Sequence, residues 1–157
     1  MRPLLLLAGL FTITQLLSSC KTDTDLRPAN YDELAMGTGH WEWERSVLGF
    51  TYDKTPASVG YSRQLIFGPD HRLLLRRSQR PDYTTSYQLS ISQGTSPTGG
   101  TISQPAVSFD TAEPDLPTNT LKYYTPGQQN GQQTLVLTGE KASLDGGAIE
   151  TYHWVKE

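Results

Sequence analysis

The residues best equipped for chemistry lie in "GTGHWEWERSVLGF", residues 37 to 50, where Trp41-Glu42-Trp43-Glu44 sets two carboxylates among two indoles. A carboxylate pair in an aromatic pocket would suit general acid–base catalysis, because unlike surroundings push the two pKa values apart. The spacing argues against it. Side chains alternate across a strand, so Trp41 and Trp43 share one face while Glu42 and Glu44 share the other. The carboxylates then face solvent and the indoles fill a core. A buried tryptophan removes ~150–250 Å² from water, worth at most ~4–6 kcal/mol at ~25 cal/mol per Å².

Other constellations are equally thin. His40, His71 and His153 form only the loose pairs His40/Glu42 and Glu150/His153, whereas a zinc site needs three or four convergent ligands. Neither "ASVGYS" nor "VSFD" is a G-x-S-x-G nucleophile elbow, and "SPTGGT" lacks the lysine of a phosphate-binding loop. No catalytic residue, metal or cofactor is assigned, and a non-enzymatic protein is expected. Only convergence of His153, Glu150 and Asp110 in one pocket would argue for an enzyme. The formal net charge is −3, and no basic cluster marks a helical face, so the footprint of a nucleic-acid binder is missing. Arg72, Arg76, Arg77 and Arg80 alternate with leucines, which predicts a solvated sheet face.

The elements that must position these residues are short strands separated by turn chemistry, the pattern of an antiparallel all-β fold. "WEWERSVLGF" opens it, "TYDKTPASV" is a polar loop, and "GYSRQLIF" and "RLLLRRSQ" form a hairpin around "GPDH". In "YTTSYQLSIS", Tyr83, Thr85, Tyr87, Leu89 and Ile91 alternate with small polar residues, so one face is buried and the other wet. "TISQPAVSF" is interrupted by Pro105, which predicts an edge or a bulge. "TLKYY", "QQTLVLTG" after an Asn130-Gly131 turn, and "AIETYHWVK" complete about eight strands. The aromatic wall of Tyr61, Tyr83, Tyr87, Tyr123, Tyr124 and Tyr152 is apolar along its body and hydrogen-bonding at its tip.

The N-terminus "MRPLLLLAGLFTITQLLSSC" has the charged, apolar and small-residue order of a secretory signal peptide. Its apolar run is shorter than the roughly 20 residues a bilayer span requires. Leu17-Ser18-Ser19-Cys20 resembles a bacterial lipobox, which implies cleavage before Cys20 and lipidation of that residue. Cys20 is the one cysteine in the chain, so the domain beyond it has no disulfide. Lys21 after the cysteine, by resemblance to Gram-negative lipoproteins, implies the outer membrane, facing the periplasm or the cell surface. The division is a signal peptide at 1–19, an anchor and polar tether at 20–36 ending in a helical turn at Asp32 to Met36, and a domain at 37–157.

Gly39-His40-Trp41 resembles the G-x-W signature of lipocalin-like barrels. "NYDELAMGTGHW", "GYSRQLIFGPDHRLLL", "GQQTLVLTG" and "ETYHWVKE" are similar to segments of small lipocalin-like envelope lipoproteins. The resemblance implies an antiparallel barrel of about eight strands and carries over no catalytic residue. Trp41, Trp43, Tyr61, Tyr83, Tyr87, Leu89, Tyr152 and Trp154 are the expected lining of the barrel interior or of a ligand site. Two functions are expected of such a protein. One is binding of a small apolar or amphipathic ligand, in a cavity on the order of a few hundred Å³ reached between the 49–60, 93–101 and 110–120 loops. The other is a filled barrel that docks onto an envelope protein or glycan.

Overall fold

The computed structural model describes residues 34–49, 52–95, 100–112, 120–140, 142 and 147–157. The expected signal peptide, Cys20 and most of the expected tether fall outside them. The elements run β1 (Gly39–Leu48), β2 (Tyr52–Lys54), α1 (Pro56–Val59), β3 (Arg63–Phe67), β4 (Arg72–Arg77), β5 (Tyr83–Thr95), β6 (Thr101–Phe109), β7 (Leu121–Gln129), β8 (Gln132–Gly139) and β9 (Ala148–Lys156).

Every pairing is antiparallel, and β1, β3, β4, β5, β6, β7, β8 and β9 are neighbours in that order. β9 then pairs back onto β1 from Gly39↔Lys156 to Leu48↔Ala148. The ring is a closed eight-stranded barrel of the lipocalin-like kind, and closure removes the exposed edges that an open sheet would carry. The polar loop "TYDKTPASV" contains two elements the alternation pattern does not reveal. β2 adds to the far half of β1, and Thr55 caps the single turn of α1 by accepting from the Ser58 amide.

Up-and-down connectivity sorts the connections between two ends. At one end lie the entry of the chain into β1, the β3–β4 and β7–β8 turns, the β5–β6 hairpin and the end of β9. At the other lie β2, α1, the β4–β5 turn and the β6–β7 and β8–β9 connections. The expected ligand mouth between 49–60, 93–101 and 110–120 is therefore not one mouth, because the 93–101 segment belongs to the opposite end.

The tether end is closed by side chains. Trp41 is 1% exposed, and its indole Nε1 donates to the Leu34 carbonyl at 3.0 Å. Leu34 is itself fully buried, so the core takes in the end of the expected tether. Leu34 to Met36 form a turn and bend; Asp32 and Glu33 lie outside the described residues. Trp154 meets Trp41 edge-to-face at 5.1 Å. Gly39 explains the glycine of Gly-x-Trp: its φ is +152°, and a Cβ there would come within 2.5 Å of the Trp154 ring and of the Val155 carbonyl oxygen.

The turns obey their sequences. Asn130 and Gly131 both have positive φ, at 53° and 79°, the type I′ geometry that matches strand twist. In "GPDH", the Arg72 amide donates to the Asp70 carboxylate at 3.3 Å and His71 takes the left-handed φ of 59°. Pro105 sits inside a continuous β6, but pairing of β6 with β7 covers only Ala106 to Ser108. Residue 105 marks the point where the two strands part.

Trp41→Ala should cost ~3–5 kcal/mol, the usual penalty for emptying a buried aromatic site. Gly39→Ala should cost ~1–3 kcal/mol through positive φ and the Trp154 clash. Urea unfolding of the two variants checks both values; a Gly39→Ala protein as stable as wild type would break the account of the Gly-x-Trp spacing.

Candidate functional site

Period 2 sends an unexpected set of side chains inward. Arg63 precedes Leu65 and Phe67 on the buried face of β3, Lys122 precedes Tyr124 on β7, and Glu150 precedes Tyr152 on β9. Glu150 is 0% exposed and Arg63 and Lys122 are each 3% exposed. Arg63 Nη2 lies 2.8 Å from Glu150 Oε1, and Lys122 Nζ donates to Glu150 Oε2. One carboxylate thus ties three strands together inside the barrel.

Neighbours complete the cluster. Ser46 Oγ accepts from Arg63 Nη2 at 2.8 Å and from Trp43 Nε1 at 2.9 Å. A bulge at Glu44 puts Ser46 there: the register of β1 on β9 shifts between Trp43 and Arg45, so Glu44 and Arg45 both point outward and Ser46 faces Glu150. The Arg63 guanidinium lies 4.2 Å from the Trp43 ring centroid, a cation–π contact strengthened by desolvation. Trp43 stacks on Tyr61 at 6.2 Å, and Arg80 covers Tyr61 at 4.1 Å. The column Arg80–Tyr61–Trp43–Arg63 runs from the surface to the buried charges at the α1 end.

The expected lining residues fall into two groups. Trp41, Trp43, Tyr87 and Tyr152 are buried in the core, whereas Tyr83, Leu89 and Trp154 pack against it from partly exposed positions. Tyr61 reaches the core through its stack on Trp43. Tyr87 closes the β3–β4 end by donating to the Gly68 carbonyl at 3.0 Å. Tyr83 donates to the Thr111 carbonyl at 2.9 Å. Between them the enclosed space bounded by Leu65, Leu73, Leu75, Phe109, Lys122 and Leu137 is about 10 Å³, which at most matches the room one water molecule needs.

Arg77 departs from the expected solvated face: it is 8% exposed and donates from Nη2 to the Pro81 carbonyl at 2.8 Å. It is in phase with Leu73 and Leu75, so the alternation that buries the leucines buries it too. Glu42 and Glu44 lie outside the barrel as expected. Glu42 accepts from Gln64 at 2.9 Å and Glu44 pairs with His153 at 2.9 Å. His40 lies 3.3 Å from Glu42 and 3.4 Å from Glu157. Glu150 and His153 are an odd number of residues apart, so one is inside and the other outside. They share no pocket with each other. Among the described residues no group of three His, Cys, Asp or Glu side chains converges to hold a metal ion.

Comparison with protein-family models, with curated proteins and with solved structures finds no match to this chain. The cluster itself had a sequence signal. Arg63, Lys122 and Glu150 each occupy the buried phase of an otherwise apolar strand, a position where a charge requires a partner.

Burial alone pushes the Glu150 carboxyl up, but Lys122 and then Arg63 outweigh it, so the group titrates below its ordinary value. A folded pKa below the unfolded one, ~4.3 for a glutamate, contributes stability that is complete above ~4.3 and lost as pH falls through the folded pKa. Glu150→Gln should cost ~3–5 kcal/mol near neutral pH because it strands two buried cations. Thermal melts between about pH 7 and about pH 3 should show the wild type losing stability on the acid side more steeply than the variant. Parallel acid limbs would exclude Glu150 as the group responsible.

Proposed function

We propose that the protein is a membrane-anchored envelope lipoprotein whose barrel is a filled, non-enzymatic scaffold that docks onto an envelope component. The observation that carries this reading is the solid interior. Trp41, Trp43, Tyr87, Tyr124 and Tyr152 together with Arg63, Lys122 and Glu150 occupy the barrel, and the space bounded by Leu65, Leu73, Leu75, Phe109, Lys122 and Leu137 is about 10 Å³. A drug-sized ligand takes ~300–1,000 Å³. An eight-stranded barrel is just wide enough for its own side chains, so filling is a stable solution. Function then belongs to the outer surface and the barrel ends.

The anchor rests on Leu17-Ser18-Ser19-Cys20. Two or three acyl chains hold a protein on a bilayer stably where one does not. In Gram-negative cells Cys20→Ala should leave an uncleaved precursor or move the protein out of the membrane fraction; normal fractionation and processing of this variant would overturn the anchor. Native mass spectrometry of the full chain, gently extracted from its own envelope, should give the bare lipoprotein mass. An added apolar mass lost on denaturation would replace the filled scaffold with the small-ligand reading.

A further inference from the structure

The β7–β8 hairpin leaves the barrel wall near its tip. β8 pairs with β9 only as far as Thr134↔His153, whereas β7 and β8 stay paired to Gln129↔Gln132. β9 continues past His153 along β1. The strands therefore part, and a shallow, largely open cleft of about 520 Å³ lies between the hairpin tip and the end of β9, lined by Gln128, Asn130, Gln132, Gln133, Trp154 and Lys156. Gln128 and Gln133 also line a second groove of about 270 Å³, on the side of the hairpin facing Met36 and Trp41. Both openings are at the tether end.

The chemistry of this lining is selective. Gln128, Asn130, Gln132 and Gln133 are exposed, and each primary amide presents donors beside an acceptor, the complement of neighbouring hydroxyl or acetamido groups. Trp154 is partly exposed and fixed edge-to-face on Trp41 at 5.1 Å, so its ring is a rigid platform with little ordering entropy left to lose. Among the described residues of the cleft lining Lys156 is the one that is ionisable, too little charge to define an anion site. Amides with an aromatic platform match a pyranose, polar at its rim and apolar on its C–H face.

We infer that the cleft between the β7–β8 hairpin and the end of β9 binds a neutral saccharide chain, with Trp154 as stacking platform and Gln128 and Gln133 as hydroxyl-reading amides. The inference rests on the docking reading above and supplies its partner. If Cys20 is lipidated, the residues up to Leu34 span at most ~3.3–3.6 Å each, which keeps the cleft within reach of glycans at the membrane.

The test is an array of neutral oligosaccharides, chitotetraose and maltotetraose included, probed with the full chain in a detergent without a sugar headgroup. Hits are then titrated by tryptophan fluorescence. The expected result is retention of at least one neutral oligosaccharide, with Gln128→Ala/Gln133→Ala weakening it about tenfold or more, as loss of two hydrogen bonds implies. Those amides are exposed, so the variant keeps its fold, which far-UV circular dichroism verifies. Trp154→Phe should weaken binding less than the double variant, since a smaller ring remains. Retention of no neutral oligosaccharide, of acidic glycans alone, or undiminished by the double variant would overturn the inference. A protein crosslinked to the hairpin with no saccharide retained would also overturn it while leaving the docking scaffold standing. An apolar mass inside the barrel would remove the scaffold reading itself.

Discussion

The fold turns on one buried carboxylate. Glu150 has no access to water, so its charge must be balanced by whatever the barrel places beside it. Arg63 from β3 and Lys122 from β7 do this from opposite sides. Their own positions then constrain the rest: Arg63 needs the Trp43 face beneath it and the Ser46 hydroxyl beside it, and the bulge at Glu44 delivers that hydroxyl. Lys122 lies opposite Gly139 in the β7–β8 ladder, where the missing side chain leaves room for its stem. An all-leucine interior of the same volume would tolerate many registers. A charge cluster with fixed partners tolerates one, because a slip of one residue turns Glu150 outward and leaves two cations inside.

The two ends of the barrel differ in kind. At the α1 end a stacked column of rings and guanidinium groups leads down to the charges, so the mouth is stoppered by side chains that are themselves wedged together. At the tether end Trp41, Leu34 and Trp154 form an apolar plug, and the strands beyond it separate. Pro105 and Pro126 stand on the two strands that diverge there, each without an amide hydrogen. The splayed β5–β6 and β7–β8 hairpins follow from where those prolines sit. They give the protein projecting surface without hollowing the core.

Much of this was legible in the residues. All eight wall strands follow from alternation and turn chemistry, and the inward placement of Trp41 and Trp43 against outward Glu42 and Glu44 follows from parity alone. β2 and α1 escaped because a three-residue strand and a single helical turn are too short to build a period. The charged core escaped for a different reason. Arginine and lysine on a strand are ordinarily solvated, and only the phases of three strands distant in sequence, taken together, identify Arg63, Lys122 and Glu150 as one buried set. Arg77 is another strand arginine in the buried phase, with Leu73 and Leu75 on β4. The parting of β8 from β9 beyond Thr134 is a property of the closed ring and no local pattern encodes it.

The seam between β1 and β9 has a kinetic meaning. Every other wall pairing joins consecutive wall strands, and all of these but β1–β3, which are separated by β2 and α1, join strands adjacent in the chain that can pair locally. The seam joins the first strand to the last, and the entropy of closing so long a loop must be met before any of its hydrogen bonds form. Glu150 and Ser46 face each other across that seam. The charge cluster is therefore completed late, in the same step that turns a curved sheet into a ring.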